Sequence, residues 1–360
     1  MTRIAALDTA PTLEEEIERL REDDSAYKRY PVQPCELELQ TADEAPMVSF
    51  RGASLSGDFR LSERAVADMA RLGRTPVPFF KDCSPALKAT IFKARKNDGQ
   101  MPLQVVIREG ILDRVLNGNL LPLPTAQLLE TVRNTIPEGA RAEDLRVIGF
   151  SGDERFDISV IAGSLTTEPR PGDVVAFGVS LREGRDGALQ IGSATYRLIC
   201  ANGAISRTCD GSEHRLRRPL NRADRQGEFL RKAQSFLTDS WGQRQAIARK
   251  LSDIQQIVLD RDGQEGLRMR LRQAPFFLTA RLARQVLDRL MVEAGDGGGP
   301  PTMFNLWNAM SFLGTHADLP DAVGHRLRLG AGEFTRIPTE ICGQCRQLVL
   351  EDNHSTTKEN

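Results

Sequence analysis

The sequence predicts an α+β protein: a central antiparallel sheet, an N-terminal α/β portion before it, and C-terminal helices packed upon it. Three observations predict this. Four β-rich runs, 144–150, 155–163, 173–184 and 188–203, follow one another with glycine-containing turns and no helix between them, so a meander is more economical than βαβ crossovers. Before them, strand-like and helix-like segments alternate. After about Asp224, apolar residues recur at helical spacing. At roughly 150 residues per domain, 360 residues fit two domains. The expected divisions are an acidic helix over 1–30, an α/β portion with the central sheet over 31–223, a helical portion over 224–330, and a C-terminal segment with a disordered tail over 331–360.

Each element has a local reason. Thr12 and Glu15 stand at capping-box spacing ahead of a narrow apolar stripe of Leu13, Ile17 and Leu20. CELELQ and MVSFRG alternate as strands do, and Gly52, Gly57 and Asp58 signal turns. Ser62 opens a helix that runs to Leu72 and closes at Gly73. Ser84-Pro85 opens another, with Leu87, Ile91 and Ala94 on one face. MPLQVVIREG reads as a strand, and a helix follows from Thr125 to Arg133. The third and fourth β-runs face each other across Gly184-Arg185-Asp186-Gly187, a hairpin turn. Phe229, Ala233, Leu237, Trp241, Ile247, Leu251, Ile254 and Val258 predict a helix of some thirty residues, with Gly242 its weak point. Further helices are expected over 278–292 and 303–312. Gly295–Pro301 reads as the clearest flexible loop.

Composition excludes several classes. No apolar run approaches the roughly 20 residues that span a bilayer, and the acidic N-terminus lacks the apolar stretch of a signal peptide. Six cysteines spread over the chain are not a disulfide framework, so a cytoplasmic protein is expected. The 48 Lys and Arg nearly cancel the 49 Asp and Glu, leaving a net charge of −1 and no global field for nucleic acid. That balance averages unlike regions. Residues 1–24 hold eight acids against three arginines. Residues 207–232 hold eight cations (Arg207, Arg215, Arg217, Arg218, Arg222, Arg225, Arg231 and Lys232) against four acids. Only 8 of the chain's 48 cations are lysines, leaving 40 arginines, whose planar forks match phosphate.

This stretch is the strongest chemical signal in the chain. Such a patch follows a nucleic-acid backbone through counterion release, without reading sequence. The competing reading is an arginine-rich helix face paired with the chain's own acids. Tyr196, in the strand before the patch, is the candidate stacking platform, against the commoner half-buried strand tyrosine.

Metal and catalytic signals are sparse. Cys342-Gly-Gln-Cys345 has the spacing of half a zinc site, and the other half is not evident. No cofactor is expected, with zinc at this pair the alternative. Cys200, Cys209 and His214 lie close in sequence, but Cys200 sits in an apolar strand, where cysteine behaves as a small hydrophobe. Phosphate loops, dinucleotide fingerprints, nucleophile elbows and zinc-protease motifs are missing, so no catalytic residue is assigned.

Scattered motifs over residues 50–318 resemble the phage- and plasmid-associated proteins of domain-of-unknown-function family 932. The likeness rests on Arg197-Leu198-Ile199-Cys200-Ala201-Asn202-Gly203, on His214, on Asn308-Ala309-Met310-Ser311 followed by His316, and on FRLSERAVADMARLG. Where the family has a Ser-x-Arg-Tyr-like element, this chain reads Leu116-Asn117-Gly118-Asn119-Leu120. The resemblance implies a task on mobile DNA, in replication, recombination or phage conflict. In the residues themselves, Asn202-Gly203 reads as a tight turn after the strand. Asn308 and His316 share a helix face if the helix passes Gly314.

The expected function is therefore sequence-independent binding of nucleic acid, single-stranded DNA foremost, in recombination or replication of mobile DNA. The alternatives are a non-catalytic interaction or assembly module, homo-oligomeric through the long helix, and a metal-dependent hydrolase. Whether the arginines of 207–232 open onto one groove or turn into the protein's own carboxylates separates the first two.

Overall fold

The computed structural model describes the chain apart from residues 1–6, 8, 27, 41–46, 97–101, 119–124, 153–154, 184–187, 198–201, 207–213, 220–224, 260, 274–275, 298 and 337–360. Chain order is α1 (Leu13–Ala26), β1 (Lys28–Val32), β2 (Leu37–Gln40), β3 (Met47–Arg51), β4 (Ser56–Leu61), α2 (Glu63–Leu72), α3 (Val77–Asp82), α4 (Pro85–Lys96), β5 (Leu103–Arg108), β6 (Ile111–Asn117) and α5 (Thr125–Arg133). Next come β7 (Leu145–Gly152), β8 (Arg155–Arg170), β9 (Asp173–Glu183), β10 (Leu189–Arg197), β11 (Asn202–Ser206) and β12 (His214–Leu216). The helices α6 (Arg225–Gly242), α7 (Arg244–Gln255), α8 (Arg261–Arg272), α9 (Ala280–Gly297), α10 (Met303–His316) and α11 (Asp321–Arg336) complete the α+β architecture.

Two six-stranded sheets carry the fold. The first runs β1-β5-β6-β4-β3-β2, antiparallel except for the parallel pair β4–β6. The second is the expected meander, β7-β8-β9-β10. Its last strand has an unusual edge. β11 pairs with residues 193–197 of β10 and β12 with residues 189–191, so two short strands cover the edge end to end. Exposed ladder groups on an edge invite pairing with other chains, and this arrangement removes them.

Capping decides the N-terminal helices. The Thr12 amide donates to Glu15 Oε2 at 2.7 Å and the Glu15 amide to Thr12 Oγ1 at 3.2 Å, the reciprocal box that the spacing predicts. Ser62 accepts from the Ala65 amide at 3.1 Å and donates to the Asp113 carbonyl at 2.8 Å, which fixes α2 to β6. The residue in left-handed conformation after α2 is Arg74 (φ 51°), not Gly73 (φ −74°).

Alternation along β9 organises the core. Val175 and Phe177 pack among the C-terminal helices, with Leu251, Val286, Trp307 and Leu327. Val179 and Leu181, on the same strand face, pack under α1, α5 and α6. The opposite face holds a thin layer of Ile161, Ala176, Ala194 and Tyr196 against Leu7. The first sheet closes separately over Ala65, Met69, Ala70 and Phe80 of α2 and α3.

Four expectations are corrected here. The thirty-residue helix is two, α6 and α7, broken at Gln243. Asn202-Gly203 lie in the β11 ladder, opposite Arg197 and Tyr196, rather than in a turn. α9 continues to Gly297, into the segment read as a loop. Leu87 of α4 is exposed, while Ile91 packs on the first core.

Candidate nucleic-acid interface

The second-sheet edge and α6 build a groove. On β12, Leu216 points into the core while Arg215 faces outward, and His214 stacks on Phe236 of α6, ring centroids 4.3 Å apart and planes within 7°. On α6, Phe229, Ala233, Leu237 and Trp241 bury one stripe on the sheet. Arg225, Glu228 and Lys232 recur every three or four residues beside it. Between the two elements lies a groove of about 320 Å³ lined by Leu216, Arg217, Pro219, Arg225, Glu228, Phe229 and Lys232. Its floor is apolar, and three cations and one acid give its walls a charge of +2. A volume of this order takes a nucleotide-sized group.

Glu228 is the built-in counter-ion. Arg225 Nη1 and Lys232 Nζ each donate to its carboxylate at 2.9 Å, and the hydrogen bonds from Lys232 and Arg225 hold that carboxyl below the usual range. All three groups stay wet, so these pairs add little stability. Arg217 makes no ion pair among the described residues.

The predicted cations therefore divide. Arg217, Arg225 and Lys232 line the groove, while Arg215 and Arg231 are exposed outside its lining. Arg218 corrects the expectation. Its Nη2 donates to Glu183 Oε1 at 3.0 Å, with the two side chains only 11% and 10% exposed, so it is a structural cation. Arg207 and Arg222 lie outside the described residues. Tyr196 is the second correction. It is 6% exposed in the thin layer behind the sheet, and burial pushes its phenol up to about 12, so no base can stack on it. The groove-lining Glu228 and Pro219 were not singled out from the sequence and Phe229 was read only as an apolar helix position, although Glu228 at i+3 from Arg225 and i−4 from Lys232 was the available signal.

The family-motif positions are brought together only in part. Arg197 is buried and bridges two carboxylates: Nη2 donates to Asp173 Oδ2 at 2.8 Å and Nη1 to Glu293 Oε2 at 2.9 Å, tying β10 to α9. Arg289 also donates to Glu293 at 2.6 Å and stacks 3.7 Å over the Phe312 ring, which in turn meets His316. α10 continues past Gly314, so Asn308 and His316 share one helix, Asn308 fully buried and His316 exposed. His214 is a core-side stacking partner of Phe236, remote in role from these. Cys200, Cys209, Cys342 and Cys345 lie outside the described residues, as does the disordered tail expected over 353–360. Among the described residues, no cluster of three His, Cys, Asp or Glu side chains has metal-binding arrangement, and no helix is long and apolar enough to cross a membrane.

No protein-family model, curated protein or solved structure matches the chain, so the likeness to family 932 rests on the motif residues alone.

Proposed function

We propose that the protein binds single-stranded nucleic acid without sequence preference, through the groove between β12 and α6, in the service of recombination or replication of mobile DNA. The convergence of Arg217, Arg225 and Lys232 on one apolar-floored groove carries this reading. Three phosphate-compatible groups track a backbone, while Leu216, Pro219 and Phe229 offer a surface for sugar and base edges. The lining is dominated by cations suited to the uniform phosphate backbone, which supports binding without sequence preference.

The test is anisotropy of a labelled oligothymidylate titrated with full-length protein at several salt concentrations. Affinity falls steeply with salt. In R217Q/R225Q the slope of log affinity against log salt shrinks by about 1.4, roughly 0.7 for each single-strand phosphate that the protein ceases to neutralise. Absent binding, or binding indifferent to salt, overturns the reading.

A further inference from the structure

The corner between α8 and α9 combines three features that no structural need explains together. First, charge: from Gly266 to Arg284 the chain has five arginines (Arg268, Arg270, Arg272, Arg281 and Arg284) and no acid. Arg268 and Arg272 stand four apart on α8, and Arg281 and Arg284 three apart on α9, so each pair shares a helix face. Arg272, Arg281 and Arg284 are exposed and make no ion pair among the described residues. Second, an aromatic: Phe277 is 63% exposed, the most exposed large hydrophobic side chain among the described residues. Third, strain: Phe277 holds φ 47°, in the left-handed region that a bulky side chain seldom adopts.

The corner is held firmly in that shape. The Phe276 and Phe277 amides both donate to the Gln273 carbonyl, at 2.9 and 2.8 Å, and the Leu278 amide to the Leu271 carbonyl at 2.9 Å. Phe276 and Leu278 are buried in the helical core, so they anchor the chain on either side and turn Phe277 outward. Arg326 of α11 reaches the Phe277 carbonyl at 3.5 Å, bringing a further exposed cation to the corner. Glycine or asparagine meets the backbone demand here at no cost in exposed apolar surface. Backbone strain at an exposed aromatic position motivates a functional reading of the corner.

We infer that this corner is a second single-strand contact, with Phe277 as a platform for one base and the surrounding arginines on the flanking phosphates. The inference rests on the proposed function and supplies the stacking group that the buried Tyr196 does not. An exposed aromatic ring flanked along the chain by arginines matches a nucleic-acid strand, which offers a flat π-face and negative charge at each step.

The full-length protein and a labelled oligothymidylate test it. F277A weakens binding by about fivefold or more, as loss of one stacked base does. F277G weakens binding equally and keeps the thermal midpoint at or above the wild-type value, because glycine takes the left-handed backbone freely. F277W reads stacking directly: Trp241 and Trp307 are buried, so the new exposed emission is the one that oligothymidylate quenches, whereas polyphosphate, charged but without bases, leaves it unchanged. Unchanged affinity in F277A, with F277W emission indifferent to bound oligothymidylate, overturns the inference while R217Q/R225Q still tests the groove. Self-association lost in F277A at unchanged oligonucleotide affinity assigns the ring to a protein contact and also overturns it. If the wild type binds no oligonucleotide, both readings fall.

Discussion

At the scale of single residues, burial separates structural charge from functional charge. Arg197, Arg218 and Arg114 are held by acidic partners in the interior, whereas Arg217, Arg272, Arg281 and Arg284 face water. Counting arginines along the chain cannot make this distinction, because partner and exposure are both set by the fold. Tyr196 gives the same lesson for aromatics. Strand alternation offers it two faces, and Leu7, packed behind the sheet with Ile161, Ala176 and Ala194, helps make the second face a buried one. The burial has a measurable consequence. The folded phenol titrates at about 12, above its unfolded value of 10.0. Between those two values the unfolded chain has lost the proton and the native state still holds it, so stability is complete below pH 10 and falls as pH rises towards 12. Absorbance titration at 295 nm is expected to show a phenol ionising near pH 12 that Y196F removes. A Y196F titration superposable on the wild type refutes the assignment.

At the scale of elements, helix caps and apolar periods were readable, and interruptions within a period were not. α1 and α2 begin where Thr12 and Ser62 place them, since a cap is a local exchange of hydrogen bonds, and α5 begins at Thr125 as its apolar pattern predicts. The meander was readable because glycine turns leave no room for crossovers. The edge of β10 was not, because the Asn202-Gly203 turn signal falls inside β11, where both residues pair with β10. The α6–α7 break is intermediate. The apolar period runs through it, yet Gln243 is itself in helical conformation (φ −70°, ψ −13°) and the Ile247 amide still donates to its carbonyl at 3.0 Å. The helix is bent here, with Trp241 buried on the sheet side and Ile247 among the C-terminal helices. Gly242 has nothing within 4 Å of where a Cβ would stand. G242A is therefore expected to raise the unfolding free energy by about 0.4–1 kcal/mol, read from urea denaturation, because alanine restricts the unfolded chain without a clash. A loss of stability instead shows that the bend depends on glycine. The arginine run at the α8–α9 corner was fully legible as composition, with more net charge in fewer residues than 207–232. What the sequence could not disclose is that Phe277 between those arginines is turned out to solvent.

At the scale of the whole molecule, a charge of the second sheet acts on a charge of the first. Asp68 of α2 accepts from Arg114 Nε of β6 at 2.6 Å and from the Val115 amide at 3.2 Å. Burial works against the Arg114 charge, but Asp68 outweighs it, and Glu183 at the end of β9 adds to the field that holds this guanidinium above its ordinary value. Glu183 in turn accepts from Arg218, one residue from Arg217 in the groove wall. The first sheet is thus linked electrostatically to the surface proposed to bind nucleic acid. Removing one member of a buried pair leaves the other charge uncompensated, at a cost of about 3–5 kcal/mol, whereas replacing both by apolar side chains of similar volume is often near neutral. E183A is expected to lose about 3 kcal/mol in urea denaturation and to loosen oligothymidylate binding as the groove wall shifts. E183L/R218M is expected to recover most of that stability, since neither charge is then stranded. If the double variant is instead as unstable as E183A, the loss comes from the interaction of Glu183 with Arg114 rather than from the stranded charge of Arg218.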